Sequence, residues 1–315
     1  MDRTTSGGSG PGVPRAPKSR VIAALGLNQI FSSLTHIIAK SAVAAIGPLA
    51  VALIRFIIAS LTLLVYQRVR GGASVAREDR IKLVLLGFFV VPINQGFFLF
   101  GLSRSTASHA SLLYALTPLF VLLLARRVLG ERSIGAKLFG TLVAFAGVAI
   151  ILFERGLRNE MGVLVGDVMI LVAVSAWAAY TVLAKQLVER YDAMTVTTWA
   201  IVSGTVMCLP GFLVPGAIPP LESIGPGAWG GILYLSIGTS VIAYPLYMYA
   251  LRHLEASKVA VTTNIQPILT AILSWAIFGE RFTPGFVVGA LLVLAGVTWV
   301  ETRQSSTRAP AEAPR

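Results

Sequence analysis

Charge is the scarcest thing in this sequence. Asp, Glu, Lys and Arg make up 13% of the 315 residues, about half the roughly 25% of a soluble domain. The few charges cluster between long apolar blocks, which excludes an ordinary water-soluble globule and points to a chain that uses lipid as solvent. Acidic residues are rarer still, 14 against 26 Lys and Arg, for a net charge of +12. The basic residues sit in short segments between apolar runs rather than on one soluble face, so nucleic acid is excluded as a partner. A single cysteine, Cys208, excludes an internal disulfide and a multi-cysteine metal site. It lies in an apolar run and reads as a small buried side chain. The three histidines, His36, His109 and His253, are dispersed and form no helix-borne His-Glu-x-x-His. No glycine-rich phosphate loop is present, so the chain carries no ATPase of its own. No metal site, cofactor or clustered acid, base and nucleophile is expected, and the chain is not read as an enzyme.

What is present in abundance is hydrophobic sequence, 55% of the residues. A membrane-crossing helix needs about 20 apolar residues, and ten such stretches can be marked: 21–43, 47–67, 82–102, 108–127, 136–153, 164–187, 195–215, 228–250, 259–278 and 285–301. The weakest division, near Ala45–Pro48, is supported by a proline placed at a helix start. Residues 1–19 and 303–315, rich in Gly, Ser, Pro and basic residues, read as disordered tails. With the N-terminus in the cytoplasm, twenty basic residues fall on the cytoplasmic side. Four (Arg104, Arg155, Arg158 and Arg281) fall on the other side, and Lys40 and Arg55 lie inside helices. That bias places both termini inside.

The two halves repeat. With a shift of 149 residues, 102–148 aligns without gaps on 251–297 with thirteen identities, among them Ser108/Ser257, Pro118/Pro267, Gly130/Gly279, Glu131/Glu280, Arg132/Arg281, Gly140/Gly289 and Gly147/Gly296. Each repeat holds five helices, an odd number, so the second must enter the membrane inverted. The expected fold is all-α, ten transmembrane helices as two inverted five-helix units at 20–154 and 162–302. Inverted repeats recur among secondary transporters, with the substrate site near mid-depth between them.

The repeated block, "ASLLYALTPLFVLLLARRVLGERSIGAKLFGTLVAFAGV" and "VAVTTNIQPILTAILSWAIFGERFTPGFVVGALLVLAGV", resembles the EamA family of the drug/metabolite transporter superfamily. It shares a small-residue helix, a mid-helix proline, Gly-Glu-Arg and a Gly-rich helix. The resemblance covers about Arg20 to Glu301. It implies export or exchange of a small metabolite, such as an amino acid or a relative of one, across a bacterial inner membrane. Where the family often has Trp-Gly in helix 1, this chain has "ALGLNQIFSSLTHIIAK". Alternatives are a phosphorylated-sugar or nucleotide-sugar carrier, a membrane-embedded enzyme, or a channel. The expected partners are the small-molecule substrate, the lipid bilayer and, as an option, a second copy of the chain in a homodimer.

Several residues are candidates for the site. Arg55, near the centre of helix 2, costs about 2.5–3.5 kcal/mol on insertion scales and must find partners inside the protein. It is either a binder of a substrate carboxylate or a structural tie. Helix 1 carries Asn28, Ser32, His36 and Lys40 at intervals of four, one polar stripe on one side. Lys40 reads as a helix contact or a snorkelling side chain, His36 and Ser32 as cavity residues. Helix 3 adds Asn94 and Gln95 after Pro92, helix 4 Tyr114, helix 6 Trp177 and Tyr180, helix 8 Tyr244 beside Pro245 and Tyr247, and helix 9 Thr263 and Gln266. Pro118 and Pro267 are expected hinge or kink positions. Gly130, Glu131, Gly279 and Glu280 are expected structural turns, the two glutamates capping helices or pairing with ions. Of the acidic residues only Asp167 falls inside a span, near its end. Coupling through His36, or facilitated transport, is therefore expected at least as readily as carboxylate-based proton antiport.

Overall fold

The structure is a computed structural model, described for residues 17–71, 74–129, 138–157 and 161–306. Its described residues are helical and contain no strand. Ten spans follow one another: α1 Lys18–Ile46, α2 Pro48–Val69, α3 Arg77–Arg104, α4 Ala107–Leu129, α5 Leu138–Leu157, α6 Met161–Val188, α7 Ala193–Leu213, α8 Pro226–His253, α9 Ala256–Phe278 and α10 Pro284–Ser306. Eight are long and apolar enough to cross a membrane. The other two, α5 and α10, contribute the shorter apolar stretches Leu142–Ile151 and Pro284–Trp299. The first and last helices run further than expected, taking in Lys18 and Ser19 at one end and Arg303–Ser306 at the other. Residues 1–16 and 307–315, together with Gly130 and Glu131, lie outside the described residues.

Local chemistry explains the joints. Gly47 adopts φ 83° between α1 and α2, a backbone open to glycine and costly for other residues, and Pro48 then starts α2 where its missing N–H costs nothing. Thr106 caps α4 by accepting from the His109 N–H at 3.2 Å, and Asp192 caps α7 by accepting from the Thr195 N–H at 3.0 Å. Gly279, φ 64°, closes α9 in the left-handed conformation expected of a helix-ending glycine.

The duplication shows in matched contacts. Lys40 Nζ donates to the Leu102 carbonyl at 2.9 Å, and Lys185 Nζ donates to the Leu251 carbonyl at 2.9 Å. Leu102 and Leu251 are repeat mates. Between the halves, Asn28 Nδ2 donates to the Ala243 carbonyl at 2.9 Å, and Asn94 Nδ2 to the Ala173 carbonyl at 2.7 Å. Ala243 is the repeat mate of Asn94, and Ala173 lies 145 residues beyond Asn28, the same offset as Lys185 from Lys40. Outside the main body α5 and α10 cross on glycines. A Cβ on Gly147 would lie 2.6 Å from the Gly289 carbonyl, and one on Gly296 would lie 2.5 Å from the Gly140 carbonyl. Lipid supplies no hydrophobic drive between helices, so close backbone approach at small residues does the packing.

Among the described residues four spans are interrupted internally, in repeat-related pairs, and α7 ends in a 3₁₀ turn at Leu209–Leu213. In α3 the segment Phe89–Gly96 is π-helical around Pro92, and in α8 the segment Tyr234–Ala243 is π-helical just before Pro245. Each proline removes a donor and crowds the carbonyl four residues back, and π turns absorb the extra residue. The helix of α4 breaks at Ala115–Leu116, and that of α9 runs through a 3₁₀ turn at Thr262–Ile265. Pro118 and Pro267 stand just after these breaks, at the second residue of the resumed helix.

Candidate functional site

The irregular spans surround one cavity. It is narrow, with a volume of about 60 Å³. Its wall is Asn28, Ser32, Thr35 and His36 of α1, Gln95 and Phe98 of α3, Tyr114 of α4, Trp177 of α6, Thr239, Tyr244 and Tyr247 of α8, and Thr263 and Gln266 of α9. The cavity sits where two apolar cores meet. Trp177, Tyr244 and Tyr247 belong to one core, while Phe98, with Tyr114 packed on it, belongs to the other. The aromatic faces are held by their neighbours. The ring of Trp177 lies 5.3 Å from that of Tyr244 and 5.2 Å from that of Tyr247, and His36 meets Phe98 and Tyr114 edge-on at 5.5 Å.

Nine of the twelve candidate site residues line this cavity: Asn28, Ser32, His36, Gln95, Tyr114, Trp177, Tyr244, Thr263 and Gln266. Three stand behind the wall. Tyr180 is fully buried beside Trp177, their rings 5.2 Å apart. Asn94 is fully buried and donates to the Tyr114 hydroxyl at 2.7 Å. Arg55 is fully buried as well. Its Nε donates to the Leu235 carbonyl at 3.0 Å and to Ser240 Oγ at 3.2 Å, and its Nη1 donates to Gln95 Oε1 at 2.8 Å. Among the described residues its Nη2 has no hydrogen-bond partner. The Leu235 carbonyl lies in the π segment of α8, where helical bonding is relaxed enough to spare an acceptor for the guanidinium.

Thr35, Phe98, Thr239 and Tyr247 line the cavity beyond that set. Tyr247 is foreshadowed by its place beside Tyr244 and Pro245 on α8. Thr35 and Thr239 are joined at 2.8 Å across 204 residues, a pairing no local pattern signals.

Several charged groups cluster away from the cavity. Lys40 does not snorkel: its ammonium donates to the carbonyls of Leu102, at 2.9 Å, and Ser105, at 2.6 Å. These carbonyls end α3 and want a cation. Asp167 is fully buried and accepts from Ser105 Oγ, with His109 Nδ1 2.9 Å away. Glu280 accepts from Ser108 Oγ, joining the start of α4 to the end of α9. At the start of α3, Asp79 gathers Lys82, at 2.7 Å, with Arg190 and Tyr191 from the loop between α6 and α7.

The sequence matches the model of the EamA-like transporter family twice, over residues 20–153 and 164–302. A transporter of Archaeoglobus fulgidus described as uncharacterized is 31% identical over 89% of this chain and 96% of its own length. The uncharacterized transporter YyaM of Bacillus subtilis is 28% identical over 85% of this chain and 89% of its own. A protein of Streptantibioticus cattleyicolor described as a probable terminal-alkyne amino-acid exporter is 27% identical over 85% of this chain and 89% of its own. A crystal structure of a protein 20% identical in sequence superposes with a TM-score of 0.66, covering 94% of this chain and all of that one, which shows a shared fold. Two inverted five-helix units around one central cavity, each matched by the same family model, make this chain a multi-pass membrane protein of the EamA-like transporter family.

Proposed function

We propose that this protein is a secondary transporter that exports or exchanges a small amino acid or amino-acid-like solute by alternating access, across a bacterial inner membrane with both termini in the cytoplasm. The observation that carries the reading is the cavity. It is lined by six of the ten spans, is narrow, and mixes aromatic faces with amide and hydroxyl groups. That lining suits a compact solute with an apolar side chain and a few polar groups. No Lys or Arg stands in the wall. A phosphorylated or nucleotide sugar would call for several cations there, so that alternative is disfavoured. The probable amino-acid exporter among the relatives agrees in substrate class.

Proteoliposome counterflow tests the reading. The purified protein is reconstituted, preloaded in turn with each of the twenty common L-amino acids, and diluted into the labelled form. At least one amino acid should accumulate transiently above its equilibrium level, as a carrier requires and a channel does not allow. Absence of counterflow for all of them sinks the amino-acid reading.

A further inference from the structure

Two chains of hydrogen bonds run from the protein interior to the cavity wall, and each starts at a group whose polarity cannot be reversed. Arginine only donates. Its bond to Gln95 at 2.8 Å therefore fixes the Gln95 oxygen towards Arg55. Gln95 Nε2 must then donate onward, and it does so to Asn94 Oδ1 at 2.5 Å. That turns Asn94 Nδ2 to the Ala173 carbonyl and to the Tyr114 hydroxyl, both at 2.7 Å. The Tyr114 oxygen is thus an acceptor from behind, and its own proton has no acceptor among the described residues. Tyr114 lines the cavity.

The second chain starts from a backbone carbonyl, which only accepts. Ala243 O receives Asn28 Nδ2 at 2.9 Å, so Asn28 Oδ1 faces the other way and receives Gln29 Nε2 at 3.2 Å. The same Gln29 nitrogen also donates to Thr262 Oγ1 at 2.8 Å. Gln29 Oε1 is then left to receive Gln266 Nε2 at 2.7 Å. Gln266 lines the cavity, and its Oε1 has no donor among the described residues. Thr263, one turn earlier, spends its proton on the Ala260 carbonyl at 2.7 Å and offers only lone pairs.

We infer that these two relays polarise the cavity, with Tyr114 held as a hydrogen-bond donor by Arg55 through Gln95 and Asn94, and Gln266 held as an acceptor by the Ala243 carbonyl through Asn28 and Gln29. Tyr114 and Gln266 are then specificity-determining residues, for the anionic and the ammonium group of the solute. Arg55 is a positioning residue that acts through Gln95. This rests on the cavity being the transport site for an amino-acid-like solute. Because the anchors are an arginine and a main-chain carbonyl, the polarity follows whichever way the amides are drawn.

The test is competition against counterflow of the best-transported amino acid, using L-valine, isobutylamine (valine without its carboxylate) and isovalerate (valine without its amine). In the native protein each truncated analogue should compete ~10-fold or more weakly than L-valine, the scale of a lost hydrogen bond to a charged group. Tyr114→Phe should bring isobutylamine to parity with L-valine, and Gln266→Leu should do the same for isovalerate. Asn94→Asp replaces a donor by an acceptor of the same shape. It should pull the Tyr114 proton inwards and reproduce the Tyr114→Phe phenotype. Arg55→Lys, still a donor, should retain carboxylate selectivity, whereas Arg55→Met should lose it with no further loss on adding Tyr114→Phe. Unchanged selectivity in a transporting Tyr114→Phe or Asn94→Asp protein overturns the relay, as do additive losses for Arg55→Met and Tyr114→Phe. A native protein that moves no amino acid at all fails earlier, at the counterflow step, and takes down the reading on which the relay rests.

Discussion

Arg55 shows what a single residue must do to live inside a membrane protein. Its cost in lipid is offset by three donated bonds, to Leu235, Ser240 and Gln95, and by contact with the Phe56 ring, 4.8 Å from the guanidinium carbon. Arg55→Ala removes the donors and leaves the Gln95 oxygen buried and unpaired, at about 1–3 kcal/mol, while the Leu235 oxygen keeps only the Ser240 hydroxyl at 3.1 Å. The expected outcome is a large fall in the thermal unfolding midpoint of the detergent-purified protein. Arg55→Lys should fall less, since an ammonium can still serve one or two of these acceptors though it cannot fork. Equal midpoints for the native protein and Arg55→Ala would contradict this account. The need for partners was legible in the sequence, because a charge amid "VALI" and "FIIAS" admits few explanations. The partners were not. Leu235 and Ser240 lie 180 and 185 residues away, and only the fold brings them near. The same distance hid the placement of Arg55 behind the wall rather than in it.

At the scale of the helix, the site is built from departures from regularity. Asn94 and Gln95 sit in the π segment of α3, Thr239 and Ser240 in that of α8, and Thr263 in the 3₁₀ turn of α9. A regular helix satisfies its own backbone, whereas a widened or broken turn spares carbonyls and lets backbone polar groups face a cavity instead of lipid. The prolines that cause these departures were readable, as was the polar stripe of α1. The π turns were not, because a proline predicts a lost bond but not how the chain accommodates it. Close helix contact is the other device at this scale. Gly147→Leu should drive a side chain into Gly289 and Val293, whose backbone atoms lie 2.6 and 2.9 Å from where even a Cβ would stand. That substitution should loosen α5 from α10 and lower the thermal midpoint. Gly227→Leu, at a glycine with open space around it, should leave the midpoint nearly unchanged in the same melting assay.

At the scale of the whole molecule, one five-helix plan read in two directions accounts for both the closure and the cavity. The lysine that ends α3 has its counterpart ending α8, and the glycine crossing of α5 on α10 is the same contact made twice. The amide bridges between the halves exchange the donor from one repeat to the other: Asn28 reaches α8, while Asn94 reaches α6. A duplicated sequence specifies such a shape economically, since a contact at one mouth, such as Lys40 on Leu102, has a related contact at the other, Lys185 on Leu251. A change that loosens one mouth can therefore leave the other closed. The inversion itself makes a topological prediction that does not depend on the solute. In a Cys208→Ala background, single cysteines at Ser103 and at Phe282 should react with a membrane-impermeant maleimide from the periplasmic side of intact cells. Cysteines at Glu189 and at Glu255 should react only after the membrane is permeabilised. Ser103 lies at the end of the third span and Phe282 follows the ninth, so parallel repeats would put them on opposite faces, and inverted repeats put them on one. Labelling that separates these two positions would remove the inverted arrangement, and with it any reason for a single cavity to be offered first to one side and then to the other.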